Sequence, residues 1–213
     1  MRTDDLVAAL AANISPIDPT QADRRFVAKL MAGALSALVA MLALMGPRAD
    51  LTAAAVLPMF WMKVLFPAIL AIAAFVALRR LSHPGMRLGR ASAGAVLPLT
   101  LVWTVAGLVL LSAPASERPA LLLGETWTVC PFGIALLSVP ALGLALWATR
   151  ELAPTRPSLA GATAGLFAGA VGAFAYALHC PETQAPFLAV WYVLGMLIPT
   201  GAGAVLGRRL LHW

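Results

Sequence analysis

Six long apolar segments dominate the pattern of hydrophobic and polar positions along the chain. They cover residues 26–45, 56–78, 91–111, 129–149, 159–179 and 186–206. Each contains about 20 residues, which as an α-helix would be about 30 Å long and would match the hydrocarbon core of a bilayer. Because apolar and polar positions do not alternate with a period of two, the segments are predicted to be helices and not the strands of a barrel.

The composition adds a reason to place these segments in lipid. Of the 213 residues, 61% are hydrophobic and 11% are charged, and the mean hydropathy is +0.88. A soluble domain is closer to half apolar and a quarter charged, and a fold of this size could not bury the excess. The predicted fold class is therefore all-α, a six-helix transmembrane bundle in the lipid bilayer.

The distribution of basic residues predicts the orientation of the bundle. Twelve of the 15 Lys and Arg residues fall on the side of the two termini, Arg48 and Arg118 fall on the other side, and Lys63 lies inside the second span. Because cytoplasmic connections carry the excess of Lys and Arg, both termini are predicted to be cytoplasmic. The chain then divides into a cytoplasmic partner-binding segment, residues 1–24, and a transmembrane domain, residues 25–213. Four aspartates precede the first apolar segment, so we expect a retained span and not a cleaved signal peptide.

The N-terminal segment is predicted to form a short amphipathic helix. Thr3 can cap this helix, Asp4 and Asp5 would lie at its positive end, and Pro16 and Pro19 end it. The aliphatic residues recur at helical spacing and share one face. This helix could lay its apolar face in the groove of a partner; alternatively, it rests on the lipid surface or packs under the bundle. The candidate partner-binding residues are Asp4, Asp5, Leu6, Val7, Leu10 and Ile14.

Two cysteines are placed at matching depths. Cys130 opens the fourth span and Cys180 closes the fifth, and a short inner connection makes these spans antiparallel neighbours. Both paths rise about 30 Å, so both sulfurs are expected at the outer surface. Three interpretations remain open: a structural disulfide, a reduced pair that senses oxidants or soft metal ions, and two inert buried thiols. His179 and Glu182 are weaker candidate ligands in the second interpretation.

Lys63 is an ionisable residue inside an apolar span. It lies about seven residues from the outer start of that span, which is a depth of roughly 10 Å. An intramembrane charge is by default a candidate functional group, here with Glu125 as a conceivable partner. Alternatively, the Lys63 side chain extends to the outer interface and keeps its ammonium group in water.

Small residues recur every four positions along the fifth span. Gly161, Gly165 and Gly169 form one such row, and rows of this kind allow two helices to approach closely. The row favours internal packing, with a homodimer through the Gly161/Gly165/Gly169 face as the alternative. Aromatic residues near the span ends, Tyr192 among them, are explained by interfacial anchoring.

No catalytic motif accompanies the spans. The sequence contains no phosphate-binding loop, no HExxH pattern and no GxSxG pattern, so an enzyme is not predicted. Because the basic residues lie in short clusters between spans, nucleic acid is not expected as a direct partner. Lys63, the proline-containing spans and the two outer cysteines suggest one alternative class, a small membrane transporter or a thiol oxidoreductase.

Three stretches of the chain together resemble the NrsF family of multi-pass bacterial inner-membrane anti-sigma factors. They are residues 2–10 (RTDDLVAAL), residues 127–140 (WTVCPFGIALLSVP) and residues 179–195 (HCPETQAPFLAVWYVLG), and the likeness continues to the tail at 207–213 (GRRLLHW). It covers the whole chain, in order and at similar length. The two cysteine-containing stretches in register carry most of its specificity.

The resemblance implies a function that spacing and composition do not show. An anti-sigma factor of this family would hold an extracytoplasmic-function sigma factor inactive through its cytoplasmic N-terminal segment. The two periplasmic cysteines of the family fall on Cys130 and Cys180, and they are linked to heavy-metal or redox stress signalling. No cofactor is implied, although a soft or heavy metal ion could act as the signal.

Overall fold

The structure, a computed structural model, describes residues 2–12, 19–83, 89 and 91–212, and every secondary-structure element within these ranges is helical. The last long helix contains a π-helical turn at Leu188–Tyr192, which joins α9 to α10 without a break. The helices are α1 (Thr3–Ala12), α2 (Pro19–Leu44), α3 (Leu51–Ala54), α4 (Pro58–Leu81), α5 (Ala91–Ser112), α6 (Arg118–Leu123), α7 (Cys130–Arg150), α8 (Pro157–Ala177), α9 (Ala185–Phe187) and α10 (Val193–Leu210).

Six of these helical segments are long and apolar enough to cross a membrane, which confirms the predicted number and helical type of the spans. They are Thr20–Leu44, Pro58–Leu81, Ala93–Ser112, Cys130–Arg150, Pro157–Ala177 and Ala185–Leu210. The largest difference from the predicted span limits lies at the first span, which begins at Thr20 and not near residue 26. The sequence also predicts a second helix that begins near Thr20 and continues into this span, and α2 indeed begins at Pro19. The added residues are mostly polar, so hydropathy leaves them out although they continue the helix.

Helix α8 lies at the centre of the bundle and packs against α10, α7, α4 and α2. Its row of glycines faces α10. A Cβ atom added at Gly161 would lie 2.2 Å from the carbonyl oxygen of Gly203, and one at Gly165 would lie 2.1 Å from that of Pro199. The two backbones are therefore in direct contact, which only residues without a side chain permit.

This packing decides between the two interpretations of the glycine row. Gly161, Gly165 and Gly169 are all buried against α10 of the same chain. The internal-packing interpretation is confirmed. The alternative, a homodimer through the same face, is not supported because α10 already covers that face.

The outward faces of the bundle are apolar. Exposed aliphatic and aromatic side chains lie along α2, α5 and α7, for example Leu35, Leu101 and Phe132. Helix α5 is the least covered of the six, and α8 is the most covered. This distribution is expected of helices that meet lipid on the outside and other helices on the inside.

The six spans alternate in direction, so their ends form two groups. At one end, which we call the basic end, Arg79 of α4 makes a bidentate ion pair with Asp23 of α2, and Lys29 of α2 pairs with Glu151 after α7. The opposite end contains both cysteines and is called the cysteine end. It is the part of the bundle where polar groups converge in the interior.

Candidate functional site

The two cysteines lie where two helices begin and end. Cys130 is the first residue of α7, and its N–H donates to the carbonyl of Thr126 at 2.9 Å. Cys180 follows the end of α8, and its N–H donates to the carbonyl of Tyr176 at 2.9 Å. Pro131 and Pro181 follow the two cysteines directly. Each thiol is thus attached to backbone that is fixed by its own hydrogen bond.

The structure brings Cys130 and Cys180 together at the same end of the bundle, as their matching depth predicts, and both are free thiols. Both side chains are completely buried, and the two thiols are close enough for Cys130 to change the pKa of Cys180. The hydroxyl of Thr126 lies 3.9 Å from the Cys180 sulfur. Cys180 lies in the connection between the fifth and sixth spans, outside both. The neighbouring Cys130 thiol lowers the pKa of Cys180, burial opposes this shift, and the Lys63 ammonium adds to it.

Lys63 of α4 reaches the same site. Its side chain is completely buried, and its Nζ donates to the carbonyl oxygens of Cys180 at 2.5 Å and Glu182 at 2.6 Å. It also lies 5.7 Å from the centre of the Tyr192 ring. The ammonium group is therefore held by backbone of the α8–α9 connection. It neither extends to water nor pairs with the Glu125 side chain, the partner considered from sequence.

Arg48 closes the site from the side of α2. Its N–H donates to the carbonyl of Leu178 at 3.1 Å, and its Nη1 lies 3.4 Å from the carbonyl oxygens of Cys180 and Pro181. Nε and Nη2 bind the two carboxylate oxygens of Asp50 at 2.6 Å each. The hydrogen bond from Arg48 lowers the pKa of Asp50. The α2–α3 connection is thus fastened to the segment that contains Cys180.

Glu182 and His179 bind backbone groups beside the thiols. A carboxylate oxygen of Glu182 accepts the N–H of Glu125 at 2.7 Å, and the Nδ1 atom of His179 lies 2.9 Å from the carbonyl oxygen of Gly46. Across the described ranges, no group of three or more His, Cys, Asp and Glu side chains is arranged to hold a metal ion. The structure therefore brings the two cysteines together but does not gather all four candidate ligands into one cluster.

Tyr192 contributes a buried hydroxyl to the site. Its ring is completely buried in the π-helical turn and packs 6.2 Å from the ring of Tyr176. The Tyr192 hydroxyl contributes to lowering the pKa of Cys180. This hydroxyl has no hydrogen-bond partner among the described residues. Tyr192 is thus part of the site and not an interfacial anchor.

Sequence reasoning missed the roles of Arg48, Thr126 and Tyr192. Arg48 and Thr126 lie in connections outside the spans, where hydropathy carries no information about contacts. For Arg48 a signal exists: it is one of only two basic residues assigned to the outer side, and Asp50 follows two residues later. For Tyr192, the position near a span end gives the same signal as any interfacial aromatic residue.

The N-terminal candidate residues lie on α1, a separate helix at the N-terminus. Asp4 and Asp5 are exposed in the first turn of α1, and Leu6 and Val7 are 43% and 60% exposed. Leu10 belongs to the same helix, whereas Ile14 lies outside the described residues. The predicted helix is therefore confirmed over Thr3–Ala12.

Comparison with known proteins gives two relatives of full length. The chain matches the family model NrsF, described as negative regulator of sigma F, over residues 10–213. It is 46% identical over 213 residues to the probable anti-sigma-F factor NrsF of Azospira oryzae, and 40% identical over 217 residues to the anti-sigma-F factor NrsF of Caulobacter vibrioides. Both alignments cover 100% of each chain. No solved structure matches the chain significantly.

Proposed function

The chain belongs to the NrsF family of negative regulators of sigma F, and we propose that it is an inner-membrane anti-sigma factor with two separate working parts. The N-terminal segment sequesters an extracytoplasmic-function sigma factor on the cytoplasmic side. The thiol pair Cys130–Cys180 receives a periplasmic heavy-metal or redox signal that releases the sigma factor. The family relationship carries this proposal and favours it over a transporter or a thiol oxidoreductase.

Helix α1 supports the binding part of the proposal. Its exposed Leu6 and Val7 offer an apolar face, and Asp4 and Asp5 beside them offer negative charge to a basic partner surface. An amphipathic helix that docks in a groove uses this combination of an apolar stripe and flanking charge. A helix of 10 residues is marginally stable alone, so binding would also stabilise it.

The distribution of charge supports the proposed orientation. The basic end joins the start of α2, which follows the N-terminal segment, to the end of α4 through the pair Asp23–Arg79. Because cytoplasmic connections carry the excess of basic residues, this end would face the cytoplasm and the cysteine end would face the periplasm. The binding segment and the thiol pair would then lie on opposite sides of the membrane.

Two substitutions in α1 test the binding part. Leu6→Asp and Val7→Asp together place charge on the proposed docking face, so we expect the sigma factor to be lost from the membrane fraction in co-purification. Ala8→Asp is the matched control, because Ala8 is exposed and lies on the opposite side of the same helix. If the double variant retains the sigma factor as the wild type does, the proposed docking face is wrong. If only Ala8→Asp loses the sigma factor, the partner binds the opposite face of α1.

Removal of the thiols tests the sensing part. Cys130→Ser and Cys180→Ser variants should still retain the sigma factor, but transcription of its target genes should no longer rise when cells meet cadmium or chromate. Serine keeps the size of the side chain and removes the reactive sulfur, so retention reports on folding while induction reports on sensing. A normal transcriptional response in the variant that carries both substitutions would exclude the thiol pair as the sensor.

A further inference from the structure

The Lys63 ammonium group is the most unusual electrostatic feature of the bundle interior. A completely buried cation on a membrane-spanning helix is costly unless other groups replace its water. None of the ion pairs among the described residues includes Lys63. Its ligands are instead two backbone carbonyl oxygens, at 2.5 and 2.6 Å. Charge-assisted bonds of this length are among the stronger hydrogen bonds in proteins.

Both carbonyl groups belong to the connection that carries the second thiol. One is the carbonyl of Cys180 itself and the other is that of Glu182. A single cation therefore fixes the path of the chain across Pro181. The position of the Cys180 sulfur relative to α4 follows from this attachment.

The same connection is fastened to the segment that leads into Cys130. The Glu182 carboxylate accepts the N–H of Glu125, and Thr126 next to it approaches the Cys180 sulfur with its hydroxyl. Thr126 also accepts the N–H of Cys130. Lys63 thus holds the α8–α9 connection, and this connection in turn binds the segment that leads into Cys130.

From these contacts we propose that Lys63 is the positioning residue of the thiol pair: it holds the Cys180 segment beside Cys130, so that the two thiols can react with one another. This inference rests on the proposed function only in that the pair is the sensor. Its chemistry is tested directly on the protein: diamide, an azodicarboxamide, accepts two electrons and two protons. The two S–H bonds break, one S–S bond forms, and the azo group becomes a hydrazine.

The measurement is the rate of intramolecular Cys130–Cys180 disulfide formation in the full chain, reconstituted in lipid nanodiscs and followed by mass spectrometry. Lys63→Met removes the charge and all three N–H donors while it keeps an unbranched chain. We expect disulfide formation to slow by about tenfold or more, because proximity of the two sulfurs is lost. Lys63→Arg keeps the charge and the donors and should restore most of the rate.

Lys29→Met is the matched control. Lys29 also lies on a membrane-spanning helix and pairs with Glu151, but it belongs to the basic end, so its removal should leave the rate unchanged. Amide hydrogen exchange of residues 178–184 provides a second measurement. It should rise in Lys63→Met, while exchange in α8 stays at the wild-type level and shows that the bundle is folded.

Disulfide formation at the wild-type rate in folded Lys63→Met would overturn the proposal, as would a failure of Lys63→Arg to restore the rate lost in Lys63→Met. If Lys63→Met does not fold, Lys63→Gln takes its place. Gln is neutral and one atom shorter, so it cannot hold both carbonyl groups, and a wild-type rate in that variant would be equally decisive. These outcomes are independent of transcription, so failure of the sensing proposal in cells is distinguishable from failure of the positioning role.

Discussion

Gly165 illustrates how one residue sets the distance between two helices. Its Cα faces the carbonyl oxygen of Pro199, and an added Cβ would lie only 2.1 Å from that oxygen. Backbone cannot move aside as a flexible side chain does. Gly143, in α7, is the opposite case, since an added Cβ would have no heavy atom within 4 Å.

We therefore predict opposite effects for the same substitution at these two glycines. Gly165→Ala should lower the free energy of unfolding by about 1–3 kcal/mol, because α8 and α10 must separate. Gly143→Ala should be neutral or raise it by up to about 1 kcal/mol, since alanine favours the helix. Thermal unfolding in one detergent compares the two variants with the wild type. Equal stability of both variants would contradict the packing of α8 on α10.

Lys63 shows which property of a residue the sequence predicts and which property needs the structure. Lys63 is visible in the sequence as a charge within an apolar span, and its functional interest is predicted from that alone. The groups that bind its ammonium cannot be predicted from the sequence, because Cys180 and Glu182 lie more than a hundred positions away in the chain. The carbonyl groups that Lys63 binds are set by the packing of α4 against α8 and by the path of the α8–α9 connection.

At the scale of elements, an ion pair joins α2 to α4 at the basic end. Arg79, near the end of α4, binds both carboxylate oxygens of Asp23, which lies in the second turn of α2. The pair is partly exposed, with side-chain accessibilities of 51% and 28%. An exposed pair contributes at most about 1 kcal/mol, so its effect should be local and not global.

We predict that Asp23→Asn increases amide hydrogen exchange at the start of α2 without changing exchange in α8. The charge-swapped double variant Asp23→Arg with Arg79→Asp should restore protection, because it re-forms the pair with the partners exchanged. Arg79→Asp alone should behave like Asp23→Asn. Equal protection in all of these variants would mean that packing, and not the ion pair, holds this part of α2.

The limits of the elements themselves were largely predictable. Five of the six spans begin within two residues of the predicted limits, because a change from apolar to polar composition marks a membrane boundary well. The exception is α2, whose polar first turns continue the helix beyond the apolar stretch. Hydropathy reports the environment of a segment, whereas helix length also depends on backbone hydrogen bonding that continues into water.

For the whole molecule, the distribution of charge predicts the orientation in the membrane. Twelve basic residues on the side of the termini and two on the other predict that both termini are cytoplasmic. A reporter that is active only in the cytoplasm should therefore be active when fused at residue 1 or after residue 213. A periplasmic reporter should be silent at both positions. A periplasmic signal at residue 1 would place the binding segment on the wrong side for a sigma factor.

The sequence by itself determined the number of spans, their helical type, the short N-terminal helix and the family to which the chain belongs. These properties depend on local composition, on periodicity and on stretches that can be recognised in order along the chain. Only the tertiary structure decided that the glycine row faces α10, that Lys63 holds the Cys180 segment, and that Arg48, Thr126 and Tyr192 surround the thiols. Such contacts depend on the rotation and spacing of helices that are distant in the chain, which packing between side chains and backbone sets and which local composition does not encode.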